Sequence, residues 1–216
     1  MTPQRNPRNP ERDRGLIYRS PRAYELAMLL LYRQNYRVRQ SALAEQIPPK
    51  TSVVETCCGP GTLYSRYLRH KSVRYTGLDL SPVFVARLQG QGIDSRLWDM
   101  RSTEPLPQAD YVVMQASLYH FLPDPGPIVE RMLNAAREQV IIAEPIHNLT
   151  SDHPRLSRMF AALTDAGAGP ERQRFDERSL ADFLTAYQDR VRRVMPVAGG
   201  QEKLYVLEGR GESTGP

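Results

Sequence analysis

At 216 residues, 40% hydrophobic and 25% charged, the chain is long enough to bury one substantial core and is of ordinary globular composition. Its formal charge of +5 is concentrated at one end: residues 1–22 carry Arg5, Arg8, Arg12, Arg14, Arg19 and Arg22 against Glu11 and Asp13. The body is left near neutral, which counts against nucleic acid as a partner. The longest apolar run, residues 27–31, is too short to span a membrane. The adjacent Cys57 and Cys58 give neither a disulfide framework nor metal-ligand spacing, so no metal is expected and a cytoplasmic, reducing setting is. Residues 1–14 and 209–216 are polar and read as flexible tails around one domain, residues 15–208.

Taken in order, the elements begin with a helix start at Ser20-Pro21, followed by Tyr24, Ala27, Met28 and Leu31 along one face. A second short helix is expected over residues 41–47, stopped by Pro48-Pro49. Strands and helices then alternate. Strands are expected at 52–56, 74–80, 93–98, 109–115 and 139–143, and helices at 62–69, from Ser81-Pro82 onward, and at 127–138. The alternation implies βαβ units and a doubly wound, mostly parallel sheet. Leu156, Met159, Phe160 and Leu163 mark a further amphipathic helix, and another is expected at 179–187. Residues 190–195 and 203–207, joined through Gly199-Gly200, should form an antiparallel pair.

The stretch Val53-Val-Glu-Thr-Cys-Cys-Gly-Pro-Gly61 is an apolar strand running into a glycine turn that opens a helix. Glycines there let the backbone approach a ligand at the carboxyl end of the strand. A dinucleotide fingerprint would need a third glycine where Tyr64 stands, and a P-loop would need Gly-Lys-Ser/Thr. Asp79 ends the second strand, where a carboxylate can accept both hydroxyls of a ribose. Asp99 follows the third strand, where it could accept from an adenine amino group, and Glu55 ends the first. Acids at three consecutive strand ends, with no basic cluster, suit a nucleoside ligand without phosphates.

This stretch resembles motif I of the class I S-adenosylmethionine-dependent methyltransferases, an apolar run, Asp or Glu, then Gly-x-Gly-x-Gly. Tyr75-Thr-Gly-Leu-Asp-Leu-Ser81 is similar to motif II, Leu97-Trp-Asp-Met100 to the segment after strand three, and residues 109–121 to motif IV of the small-molecule branch. The family's first motif I glycine is Cys57 here, tolerable if the backbone keeps a negative φ. The resemblance implies a Rossmann-like, seven-stranded α/β sheet, mostly parallel with an antiparallel C-terminal strand, and S-adenosyl-L-methionine as cofactor, released as S-adenosyl-L-homocysteine. It assigns the ribose to Asp79, the adenine to Leu80, Asp99 and the Met100 backbone, and the methionine end to Gln115. Tyr18 belongs to an N-terminal helix folded over the cofactor, and Glu55, Cys57, Gly59 and Gly61 belong to the turn.

On the acceptor side, Tyr119, His120, Glu144 and His147 follow strands four and five. His120 is a candidate general base and Glu144 a candidate for orienting the acceptor. Gln115-Ala-Ser-Leu118 replaces the Asn/Asp-Pro-Pro-Tyr/Phe of enzymes that methylate base amino nitrogens. A small-molecule acceptor is the leading expectation. The alternatives are an RNA or protein substrate met by the basic tail, or a non-catalytic subunit of the same fold that binds a partner.

Overall fold

The computed structural model describes residues 35–146 and 174–211. The basic tail, Tyr18, Tyr24, His147 and the expected helix around Met159 and Phe160 lie outside the described residues. The elements are α1 (Asn35–Glu45), β1 (Ser52–Thr56), β2 (Arg74–Asp79), α2 (Pro82–Gly90), β3 (Ser95–Leu97), β4 (Ala109–Gln115), α3 (Gly126–Ala135), β5 (Ala136–Pro145), α4 (Glu177–Leu184), β6 (Val191–Val197) and β7 (Glu202–Glu208). Short helical turns lie between them at Tyr64–Leu68, Arg69–Lys71, Leu118–Phe121 and Thr185–Tyr187.

The strands form one seven-stranded sheet in the order β3-β2-β1-β4-β5-β7-β6. β3 to β5 pair parallel, while β7 runs antiparallel to both β5 and β6. The sheet is the expected Rossmann-like one. Alternation along β4 sorts its side chains: Val112 and Met114 pack with Met132, Leu133 and Leu180 on one face. Tyr111 and Val113 pack with Leu43, Ile47 and Leu88 on the other. Both faces are thus covered by helices, as near-continuous apolar central strands require. Sequence order reverses between β1 and β4, so the crevice outside their carboxyl ends is the topological switch point.

Boundaries differ from expectation where polar residues face inward. α1 already covers Asn35–Glu45, ahead of the expected 41, because Arg39 and Gln40 are buried alongside Tyr36 and leave no apolar period to read. The helix expected to reach 138 stops at Ala135, and β5 already begins at Ala136, which pairs with Ala109. α4 is capped by Asp176, whose carboxylate accepts from the Ser179 amide at 2.7 Å, so the helix starts ahead of Ser179. Gly209, Arg210 and Gly211, expected in the tail, donate backbone hydrogen bonds to Glu138, Leu133 and Ala136. Among the described residues no helix is long and apolar enough to cross a membrane.

Candidate active site

The crevice is opened by two residues that are not glycine. Cys57, just after β1, has φ 54°, and Ala116, just after the neighbouring β4, has φ 47°. Thr56 and Met114, which precede these turns closely, are register partners. Both strands therefore swing apart in the left-handed region, which costs about 1–2 kcal/mol for a residue with a Cβ. The expectation that Cys57 needs a negative φ is thus corrected. Its side chain is half-buried against the core and hydrogen-bonded toward Ser117, and these contacts help to hold the strained turn.

Glycine is required in the rest of the turn. Gly59 and Gly61 have φ 55° and 70°, and a Cβ on Gly61 would lie 2.5 Å from Leu88 Cδ2. The chain then turns through a wide π-helical segment, Tyr64–Leu68, and Tyr64 stacks on Tyr75 with ring centroids 4.4 Å apart.

Asp79 locks this turn to β2. Its Oδ2 accepts from the Gly59 amide at 2.7 Å and its Oδ1 from the Ser81 amide at 2.8 Å. Each oxygen of a carboxylate has a second lone pair, so the group can also accept from a ligand at the crevice. Beside it Leu80 is 43% exposed, an apolar surface at the strand end. The Trp98 amide donates to the Asp79 carbonyl, which brings the β3 end alongside. Asp99 is exposed, with Oδ1 accepting from the Arg101 amide, while the Met100 side chain is buried and its carbonyl accepts from Arg131. A close-approaching glycine turn, an edge carboxylate, an exposed leucine and a second carboxylate one strand away fit an adenosyl group.

Glu55 does not join them. Strand alternation places it on the Val53 face, 4% exposed, where the Tyr75 hydroxyl donates to Oε2 at 2.6 Å. Glu144 is likewise turned inward: it is fully buried, Oε2 accepts from the Ser117 and Leu118 amides at 3.1 Å, and Oε1 accepts from Tyr119 at 3.3 Å. It holds the turn that carries Tyr119 and His120 rather than facing a substrate. This corrects the expectation that it orients the acceptor directly.

Tyr119 is buried and His120 half-buried, their rings 4.0 Å apart. Gln115, half-buried at the end of β4, accepts from Gln40 Nε2 at 2.9 Å. Two primary amides sharing one hydrogen bond leave one donor and one acceptor over, here Gln115 Nε2 and Gln40 Oε1, both buried. Sequence reasoning missed Gln40 and the arginines beside the turn, Arg101 and Arg174. Arg101 Nη2 donates to the His120 carbonyl at 2.7 Å, and Arg174 Cζ lies 3.7 Å from the centre of the Tyr119 ring. No local pattern marks them, because each reaches the turn from another part of the chain.

Burial pushes the carboxyls of both Glu55 and Glu144 up to about 8 from 4.5, against the hydrogen bonds that favour their charged forms. The folded protein therefore holds these protons more tightly than the unfolded chain does. The resulting stability is full below about pH 4.5 and is lost as pH rises toward 8. Urea midpoints are expected to be higher at about pH 5.5 than at about pH 8. Glu55→Gln and Glu144→Gln should each flatten that slope, and an unchanged slope in both variants would assign the dependence to other groups.

Residues 54–143 match the family model described as Methyltransferase domain. Trans-aconitate 2-methyltransferase from Mycobacterium tuberculosis is 38% identical over 84 residues, 38% of this chain and 31% of that protein. The chain thus aligns with under a third of the length of that curated relative. Among solved structures, a chain of the complex between the Haloferax volcanii Trm112 methyltransferase activator and a methyltransferase superposes with TM-score 0.66 at 13% identity. The alignment covers 91% of this chain and 99% of that one. Residues 54–143 are thus similar to the methyltransferase domain, and the seven-stranded sheet is the fold seen in solved methyltransferases. Human N-acetylserotonin methyltransferase in complex with S-adenosylmethionine shares the fold, with TM-score 0.58, 17% identity, and coverage of 89% of this chain and 57% of that one. Among the described residues, no group of three or more His, Cys, Asp or Glu could hold a metal ion.

Proposed function

We propose that the chain transfers a methyl group from S-adenosyl-L-methionine to a small-molecule acceptor, leaving S-adenosyl-L-homocysteine. The observation that carries this is the Gly59–Asp79 hydrogen bond at the switch point, with exposed Leu80 beside it. When bound, the cofactor supplies a sulfonium methyl open to in-line displacement. The chain's own residues position the reactants, and positioning can account for much of the barrier lowering. Asp79 accepts from the ribose hydroxyls, Leu80 packs on the adenine, and Asp99 with the Met100 amide reads its edge. Gln115, steadied by Gln40, meets the methionine end. The backbone at Cys57, Gly59 and Gly61 lets the ligand approach closely.

On the acceptor side Tyr119 shapes the pocket, and His120 takes a proton where the acceptor must lose one. Glu144 acts through the backbone amides it holds. The name of the mycobacterial relative supports an acceptor of metabolite size, and the near-neutral body agrees with it. Calorimetry should give micromolar affinity for S-adenosylhomocysteine, roughly −8 kcal/mol, and none for NAD. Incubation with labelled S-adenosylmethionine and trans-aconitate tests transfer. Tighter binding of NAD than of S-adenosylhomocysteine would overturn the assignment.

A further inference from the structure

Among the described residues, Arg96, Arg137, Arg192 and Arg210 are matched to the carboxylates of Asp94, Asp110, Glu208 and Glu130, while Arg131, Arg190 and Arg193 donate to backbone or side-chain amide oxygens. The two that flank the Leu118–Phe121 turn lie against aromatic rings instead. Arg174 lies face-on to the Tyr119 ring, and Arg101 lies 5.1 Å from the centre of the Phe121 ring while donating to the His120 carbonyl. Neither makes an ion pair among the described residues, and both residues are exposed.

Stacking on an aromatic face fixes the plane of a guanidinium and leaves its N–H fork directed outward. Such a fork matches the paired oxygens of a carboxylate. Asp99, beside Arg101, is exposed and accepts from the Arg101 amide at 2.8 Å. Glu144, close enough to feel the Arg174 charge, has both oxygens turned to backbone amides and is fully buried. It offers the arginines no surface counterion. The side of the crevice carrying Tyr119 and His120 therefore presents two stacked guanidinium groups, with Asp99 at its border beside Arg101.

We propose that the acceptor carries a carboxylate and that Arg174 and Arg101, held on Tyr119 and Phe121, receive it. This rests on the methyltransferase reading above, and it makes the two arginines specificity-determining residues that orient the acceptor toward the methyl group.

The test is calorimetry on the full chain saturated with S-adenosylhomocysteine, using glutarate and citrate as carboxylate probes, glutaramide as the neutral match and inorganic phosphate as the competing anion. Binding of S-adenosylhomocysteine is measured first, so its failure strikes the methyltransferase reading and not this one. At least one carboxylate is expected to bind ten times more tightly than glutaramide and more tightly than phosphate. Arg174→Gln should weaken that carboxylate about tenfold and leave S-adenosylhomocysteine affinity unchanged, and Arg174→Lys should recover part of the loss. Arg101→Gln should weaken the same carboxylate as well. Carboxylates no tighter than glutaramide would overturn the proposal, as would phosphate binding more tightly than either acid. Full carboxylate affinity in both Gln variants would overturn it too.

Discussion

Asp79→Ala is expected to weaken S-adenosylhomocysteine binding about a hundredfold, ~2.7 kcal/mol, in a protein that still folds. Two losses add. The ribose hydroxyls lose a charged acceptor, and hydrogen bonds to charged groups contribute about 1.5–3 kcal/mol. The Gly59 and Ser81 amides, now at 2.7 and 2.8 Å from the carboxylate, also lose their partner. The glycine turn then samples other conformations, and binding must reorder it. Asp79 is only half-buried at a strand end, so the core beneath should survive. Asp79→Asn separates the two losses. It keeps the shape and one acceptor oxygen, but its NH2 must face one of the two amide donors, so an intermediate affinity is expected. Calorimetry with circular dichroism on the same samples reads both affinity and folding. Wild-type affinity in a folded Asp79→Ala protein would place the ribose elsewhere.

The signals legible in the sequence were those that a short stretch of chain can carry. The β-branched run before Cys57, the glycine turn and the acid ending β2 marked the succession of strands along the chain and put the expected ligand site at their carboxyl ends. β1 and β4 fall where the alternation placed them, at Ser52–Thr56 and Ala109–Gln115. The antiparallel pair before the C-terminus also follows from its own pattern. What stayed hidden depends on which way a polar side chain turns once strands are stacked. Glu55 and Asp79 both end strands, yet Glu55 lies on the buried face beneath Tyr75 while Asp79 reaches the rim. Glu144, fully buried one residue after the apolar Ala143, is decided in the same way by parity and depth. Arg39 and Gln40 lie ahead of the helix expected at 41–47, yet they form the inward side of α1. Arg101 and Arg174 are far apart in sequence and meet only across the Leu118–Phe121 turn.

The largest stability effect is expected at Arg39 and Glu202, which tie α1 to the first residue of β7. Arg39 Nε and Glu202 Oε1 are 3.0 Å apart, with 4% and 0% of their side chains exposed. Burial pushes the Glu202 carboxyl up, and Arg39 pulls it back down. Glu144 lies close enough to feel the Glu202 charge, which raises its own proton affinity. Arg39→Met should therefore cost about 3–5 kcal/mol, because it leaves the buried Glu202 carboxyl without the cation it faces. Glu202→Leu alone should also destabilise, by removing the carboxylate that the buried Arg39 faces. The double variant Arg39→Met/Glu202→Leu removes both charges and keeps much of the volume, so most of that loss should return. Urea denaturation of the four proteins closes the cycle. Additive losses in the double variant would mean that the two side chains act independently, and that α1 is held on the sheet by its apolar contacts through Leu43 and Ile47 rather than by this pair.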